Sequence, residues 1–506
     1  MISALNEHQA RFSLRTSSEY SQAALAGTAT LALGAVLLLN GYSPAEGGFR
    51  PLPLYAGLIY LFFAALQFGV MALIRRDIIR HGEIRRGTRA LGFVLLPALL
   101  SGNVFVAIAA LQLVRRRPNV IYTMAVYGLL ATLLVIAVTA MNLFKPYVAD
   151  TFLLGAYLLI AVAVIQLLAV IVIAGCAGRE QPPRFLGPLA ALLIATSVTG
   201  NLFSLAAGFL LIRKLREKRD HAAYSRLGEV IGRIANSMAP MLGLLFIVFL
   251  LMLALTSYLT FEYGFAVDNN YSAILQHPSL AYPFGTDNFG RDVFSRIVFG
   301  ARISLSVGFL STLIPFVIGG MLGAVSGYYG RHADNLIMRA LDVLYAIPGI
   351  LLAIAIIAAF GTSLPNLILA LSVGAIPTYA RTMRANVMVV STLDYVQAAR
   401  SLGVSDWKIM YRHIVPNSLA PMIVKSTLTL GTAVISTSSL SYLGLGVEPH
   451  IPEWGNILKV GSAYLETHPH TAIYPGLAIV LLVLSFNFLG DGLRDALDPK
   501  HESSSL

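Results

Sequence analysis

Ser391-Thr392-Leu393-Asp394-Tyr395-Val396-Gln397-Ala398-Ala399-Arg400-Ser401-Leu402-Gly403-Val404-Ser405-Asp406-Trp407-Lys408-Ile409-Met410-Tyr411-Arg412-His413-Ile414-Val415-Pro416-Asn417 is a polar interlude between two apolar runs, at about 364–383 and 419–443. Its pattern predicts two short amphipathic helices broken at Gly403. Tyr395, Ala398, Ala399 and Leu402 fall on one face at i, i+3, i+4, i+7 spacing, and Trp407, Met410, Tyr411 and Ile414 do the same in the second helix. Ser405 stands where an N-cap is expected. Gly403 supplies a backbone conformation that a side chain would penalise, and Pro416 is expected to end the element. Such a pair suits a groove on a partner; lying on lipid is the other reading of the same pattern.

The rest of the chain is apolar. Of 506 residues 57% are hydrophobic and only 12% charged. A soluble domain carries roughly twice that charged fraction. The runs exceed the roughly 18–20 residues that cross a bilayer core, so an all-α polytopic membrane protein is expected rather than a barrel of about 10-residue alternating strands. The net charge of +11 fits Lys and Arg in cytoplasmic connectors and not nucleic-acid binding, because the basic clusters sit between spans. Cys176 is the single cysteine, which excludes an intrachain disulfide and a cysteine-cluster metal site. A cleavable leader is not expected: the first 20 residues are polar, and the run at about 25–40 lacks a clear small-residue cleavage site.

The charge run Arg213-Lys214-Leu215-Arg216-Glu217-Lys218-Arg219 divides the chain near residue 225. Residues 1–225 are expected to form a membrane extension of four to six segments, and 226–506 a second unit. The early runs lie at about 25–41, 54–74, 91–114, 120–144, 152–175 and 186–212. They suggest a tandem repeat: Ser101-Gly102-Asn103 matches Thr199-Gly200-Asn201, 98 residues on, and Gln67 matches Gln166, 99 residues on. A full crossing by 91–114 would put the basic clusters Arg75–Arg89 and Arg115–Arg117 on opposite sides, against the positive-inside tendency. Two readings stay open, re-entrant hairpins at the Gly-Asn pairs or six ordinary spans. Both return the chain to the cytoplasm at residue 213.

Six spans are expected after residue 226, at about 238–258, 303–329, 336–360, 364–383, 419–443 and 472–490. Starting inside, they put 384–418 and the C-terminus in the cytoplasm, and 259–302 and 444–471 outside. Arg381, Arg384, Arg400, Lys408 and Arg412 fit that placement; Arg291, Arg296 and Arg302 run against it. Asp342 is placed to pair with Arg339, Lys425 to snorkel, and Asp287, Arg291 and Asp292 to pair locally around Asx turns. No G-x-x-x-x-G-K-[ST] loop is present, so ATP is not bound by that device. Charges inside the spans are nearly lacking, which disfavours an ion-coupled secondary transporter. His468 and His470 are read as solvated loop residues, and no metal ligand set stands out.

The polar interlude resembles the EAA coupling loop of ABC importer permeases, with Ala398-Ala399, Gly403 and His413-Ile414-Val415-Pro416-Asn417 in register and Gln397 where that family carries glutamate. Four further stretches resemble the C-type subunit of the dipeptide/oligopeptide permease family. They are Pro283–Arg296 with Gly300–Leu305, Met338–Asp342 with Ile347-Pro348, Leu440–Val447 with Pro452-Glu453-Trp454-Gly455, and Phe486–Pro499. The resemblance covers about 235–500, and residues 1–225 match nothing expected of that subunit. Ser436-Thr437-Ser438-Ser439 departs from the family's pattern, which usually has an acidic residue there, and bears on the pathway lining.

The resemblance implies a type I ABC importer core of six helices in the bacterial plasma membrane, with both termini cytoplasmic. It implies a non-catalytic subunit that holds no cofactor, ATP-Mg being bound by partners. Those partners are a second, B-type permease, two ATPase subunits, an extracellular substrate-binding protein and membrane lipid. ATPase coupling is assigned to Gln397, Ala398, Ala399, Arg400, Gly403, Asp406, Trp407, Lys408, His413 and Pro416. Contact with the binding protein falls to the outer loop at Gly285, Thr286, Asp287, Gly290, Arg291 and Asp292. Peptide is the implied cargo, with a nickel chelate, haem or another small solute as alternatives, and a membrane scaffold or sensor as the rival of another class.

Overall fold

Where no water can satisfy a backbone N–H or C=O, the chain must pair them within each segment, and the apolar runs accordingly form helices. A computed structural model describes residues 17–43, 48–49, 51–114, 119–176, 183, 185–216, 226–448 and 450–498. Arg115–Arg117 and Glu217–Arg219, used above for topology, lie outside the described residues, as does the boundary at 225.

The first helices are α1 (Ser18–Gly41), α2 (Pro51–His81), α3 (Arg86–Leu95), α4 (Val104–Val114), α5 (Val120–Ala140), α6 (Phe152–Cys176), α7 (Leu186–Thr196), α8 (Leu202–Arg216) and α9 (Arg226–Asn236). A two-residue antiparallel ladder, Tyr42–Ser43 with Gly48–Phe49, joins α1 to α2. After them come α10 (Met238–Thr260), α11 (Gly264–Val267), α12 (Val293–Tyr329), α13 (Arg331–Tyr345), α14 (Gly349–Phe360) and α15 (Leu364–Ser391). The series closes with α16 (Asp394–Ser401), α17 (Asp406–Ile409), α18 (Val415–Tyr442), α19 (Trp454–Ser462) and α20 (His470–Leu497). Eight helices among the described residues are long and apolar enough to cross a membrane.

Of the two readings of 91–114 and 186–212, the structure shows hairpins. Gly102 and Gly200 sit at φ +72° and +89°, a left-handed conformation open to glycine at no steric cost. They reverse the chain between α3 and α4 and between α7 and α8. The arms pack tightly: a Cβ on Gly208 would stand 2.7 Å from the Ala190 carbonyl oxygen. The return arms α4 and α8 have 11 and 15 residues, short of the roughly 20 that a crossing needs. The order helix, helix, hairpin thus occurs twice, over 18–114 and 120–216.

In each turn the asparagine is buried and bonded to neighbouring helices, while Leu100 and Val198 beside it stay exposed. Asn201 Oδ1 accepts from the Ser204 backbone N–H (3.1 Å), while its Nδ2 donates to the Gly128 carbonyl (2.8 Å) and Thr132 Oγ1 (3.2 Å). Thr132 donates to Gln166 Oε1 (2.7 Å), and Gln166 Nε2 to Ser204 Oγ (2.9 Å). In the first hairpin Asn103 Oδ1 accepts from the Val106 N–H and from Thr30 Oγ1, each at 3.2 Å. All these side chains are buried.

Helix α10 is shared by two cores. Met241, Leu245, Val248 and Met252 belong to a core shared with α5 to α8 and pack against α5 and α6; Ile247 and Leu250 pack against Ala301, Trp454, Leu482 and Phe486. Helices α12 and α15 meet along a ridge of small residues, where a Cβ on Gly319, Gly323 or Gly327 would come within 2.7 Å of the Ile376, Ala380 and Arg384 carbonyls. Close backbone approach of this kind is how helices associate in lipid.

Several expectations are corrected. The span expected at 336–360 is broken at Ala346–Pro348 into α13 and α14, bent by 81°, because Pro348 drives the residue before it out of the helical region. Asp342 pairs with Arg381 (2.6 Å) rather than Arg339. Lys425 does not snorkel: its ammonium donates to the Thr378 carbonyl (2.6 Å) and Thr382 Oγ1 (2.8 Å) on α15.

Candidate functional site

The polar interlude folds as a helix, a glycine turn and a second helix that runs on into the membrane. Helix α16 closes at Leu402 and Gly403, whose N–H groups donate to the Ala398 and Arg400 carbonyls, both at 3.0 Å. Gly403 lies at φ +73° with nothing within 4 Å of where a Cβ would stand. Conformation and not space demands glycine there.

Ser405 occupies the N-cap position of α17, but its side chain makes no capping bond. Pro416 does not end the second helix. A π-helical turn, Met410–Ile414, joins α17 to α18, with Pro416 in the first turn of α18. The π turn closes with the Val415 N–H on the Met410 carbonyl, and the helix runs on through Pro416 as one element, Asp406–Tyr442.

The helical face expected from i, i+3, i+4 spacing is split. Val396 and Ala399 of α16, with Ile409, Met410 and Ile414 of the second helix, are buried. Apart from Met410 they pack into a cluster with Ala324, Tyr379, Met383, Val387, Val390 and Met422 from α12, α15 and α18. Tyr395, Ala398 and Leu402 point outward with Trp407 and Tyr411; Leu402 is 82% exposed, Tyr411 72% and Trp407 63%. The π turn adds a residue to the helical repeat, which moves Met410 and Ile414 inward while Trp407 and Tyr411 stay out.

Polar bonds fix the loop to the bundle. Tyr328 OH, at the end of α12, donates to Asp406 Oδ1 (2.5 Å) and accepts from Arg400 Nη2 (3.4 Å). Asp334 of α13 takes a two-pronged bond from Arg384 of α15, both contacts at 2.5 Å. Gln397 Nε2 donates to the Ser391 carbonyl (3.4 Å), and Asn417 Nδ2 to that of His413 (2.6 Å). Lys408 and Arg412 are exposed beside the aromatic side chains, with His413 and Pro416 at the foot of α18. The site is thus a rigid platform with an apolar, basic-rimmed outer face. Tyr328, Asp334 and Arg384 escaped sequence reasoning because their partners come from other helices.

The residues expected to form the outer contact are mostly internal. Thr286, Asp287, Arg291 and Asp292 are buried. Asp287 accepts from Arg291 Nε (2.8 Å) and from the backbone N–H groups of Phe289 (2.9 Å) and Arg291 (3.0 Å). Gly285 and Gly290 are at φ +72° and +74°. Asp287 and Arg291 do pair locally. Asp292 does not: it caps α12 through the Phe294 and Ser295 N–H groups and takes the ammonium of Lys145 at 2.6 Å. These side chains hold the shape of the loop. In the connector before α19, Glu453 Oε2 caps α19 at the Asn456 N–H (3.0 Å), and burial holds its carboxyl above the usual carboxylate range.

Long apolar helices around a rigid two-helix platform define a multi-pass membrane transport permease. Residues 319–503 match the model of the family described as binding-protein-dependent transport system inner membrane component. The chain is 45% identical over 285 residues to the glutathione transport system permease protein GsiD of Pectobacterium atrosepticum, covering 56% of this chain and 95% of that one. It is 42% identical over 284 residues to the dipeptide transport system permease protein DppC of Alkalihalophilus pseudofirmus, covering 93% of that protein. A structure of the inward-facing MetNI methionine transporter aligns over 40% of this chain at 22% identity with a TM-score of 0.34, too distant a likeness to carry weight. The chain belongs to the family of ABC importer permease subunits represented by GsiD and DppC. A little under half of it lies outside the match.

Proposed function

We propose that this permease works in an ATP-driven importer of peptides in the bacterial plasma membrane, with both termini in the cytoplasm. A second permease completes the pathway, two ATPase subunits bind and hydrolyse ATP-Mg, and a binding protein delivers cargo from outside. The chain itself is non-catalytic and holds no cofactor. The observation that carries this reading is the exposed Leu402, Trp407 and Tyr411 on a loop whose other face is locked among α12, α15 and α18. Force applied to that face reaches three membrane helices at once. Gln397, Ala398, Arg400, Gly403, Asp406, Lys408, His413 and Pro416 shape or rim it, and Ala399 anchors it.

Residues 1–225 form a membrane extension built of two similar units. Their hairpins support the topology: each returns to the side it left, which leaves Arg75–Arg89 and Arg213–Arg216 on one side, as the positive-inside tendency asks. Gly285–Asp292 serve the binding protein by positioning the outer loop. Peptide cargo rests on the likeness to permeases of glutathione and dipeptide systems. Reconstitution with the partner subunits tests the reading: labelled dipeptide should enter proteoliposomes only with ATP and binding protein present. Uptake without ATP would overturn it.

A further inference from the structure

Helix α18 carries a polar row on one face. Lys425, Thr429, Thr432, Ser436 and Ser439 follow one another at i, i+4, i+7, i+11 and i+14, a single helical stripe about 21 Å long at 1.5 Å per residue. No residue of the row is buried in the chain, whereas Met422, Gly431, Val434 and Leu440 on other faces are. Hydroxyls and an ammonium at membrane depth face a bundle interior or a water-filled route and not lipid.

Two cavities lie along the row. One of about 200 Å³ is lined by Ser311, Gly349, Gly374, Thr429, Thr432 and Ser436, between α12, α14, α15 and α18. The other, an open groove of about 460 Å³, is lined by Lys425, Thr429 and Thr432 with Pro421, Val424 and Leu428, and by Arg494 of α20. They share Thr429 and Thr432, so the row runs through both.

The chemistry of the row is directional. Thr429 Oγ1 donates to the Lys425 carbonyl and Thr432 Oγ1 to the Thr429 carbonyl, each at 2.9 Å. Their protons are spent on the helix, and their oxygens remain as acceptors. Lys425 and Arg494 add positive charge at one end, and no Asp or Glu occurs from Val415 to Val447. Acceptors above and cations below match a solute with N–H donors and a carboxylate, and they disfavour a free cation.

We propose that Lys425, Thr429, Thr432 and Ser436 are this chain's lining of the solute route, and that Lys425 makes the route selective for carboxylate-bearing solutes. This rests on the importer reading above but is tested separately from it. In a Cys176→Ser background, with the partner subunits present, Thr432→Cys is exposed to two small water-soluble methanethiosulfonates, one anionic (sulfonatoethyl) and one cationic (trimethylammonioethyl). Ile423→Cys, on the opposite side of α18 and 43% exposed, is the lipid-facing control. Thr432→Cys should react and Ile423→Cys should not. Relative to free cysteine, the anionic reagent should be favoured at Thr432→Cys by about tenfold, the scale of electrostatic focusing in a cleft, and Lys425→Gln should abolish that preference while Lys425→Arg keeps it. An unreactive Thr432→Cys, or a preference indifferent to Lys425→Gln, overturns the proposal. Co-purification of the ATPase subunits with the same variants shows whether the importer reading survives either result.

Discussion

The Lys145 ammonium lies 2.6 Å from the Asp292 carboxylate, 147 residues further along the chain. Both side chains are buried, at 2% and 0% exposure. The pair ties the connector between α5 and α6 to the start of α12, and Asn142 adds a bond from its Nδ2 to the Thr260 carbonyl (2.9 Å). The connector between α5 and α6 is therefore fastened to the end of α10 and the start of α12. Lys145→Met leaves a buried carboxylate without its cation and should cost about 3–5 kcal/mol. Combining it with Asp292→Asn should cost less than the two single changes added together. Thermal unfolding of the four proteins in detergent measures this, and strict additivity would deny the coupling.

Asn201 bonds the second hairpin turn to α5 through its side chain. Asn201→Leu leaves the Ser204 N–H without its side-chain acceptor and removes the bonds to the Gly128 carbonyl and Thr132 Oγ1, at about 1–3 kcal/mol for a buried group left unpaired. The melting temperature should fall. Asn201→Asp, which keeps the acceptor for Ser204 but loses the donor for Gly128, should show that the donor matters. An unchanged Asn201→Leu melt would contradict the packing described.

Glu453 titrates above the range of an exposed glutamate because burial disfavours its charge. The folded protein then holds this proton to higher pH than the unfolded chain does. Stability from this group is unaffected below the ordinary value of about 4.3. It falls as pH rises from there through the folded-state value and is level above it. Glu453→Gln keeps an acceptor for the Asn456 N–H and removes the charge. Its melting temperature relative to wild type should rise from about pH 4 to neutral pH; a difference independent of pH would contradict the assignment.

Gly403→Val should damage transport without unfolding the membrane helices. The left-handed backbone there costs a side-chain-bearing residue about 1–2 kcal/mol, and asparagine tolerates it best. ATP-driven uptake should drop for Gly403→Val and recover partly for Gly403→Asn, with helix content by circular dichroism unchanged in both. Equal activity of the two variants would contradict a conformational role.

Much of this was legible in sequence because it is local. Apolar length located the spans, Gly403 announced its turn, and Gly102-Asn103 and Gly200-Asn201 marked the hairpins. What failed was long-range or register-dependent. Asp292 carries no sign of a partner 147 residues away. Asp342 has Arg339 at helical spacing, yet chooses Arg381 across the bundle. The π turn at Met410–Ile414 breaks the 3.6-residue period, so spacing alone put Met410 and Ile414 on the same face as Trp407 and Tyr411. Pro416 reads as a stop, yet the helix runs on through it after the π turn.

The central claim is that the outer face of the 391–417 loop receives the ATPase. The direct measurement is co-purification from mild detergent of tagged chain carrying Leu402→Asp and Tyr411→Asp, both at exposed positions that leave the buried anchors intact. The account predicts that the second permease stays bound while an ATPase subunit is lost. Full retention of the ATPases by this variant would contradict it.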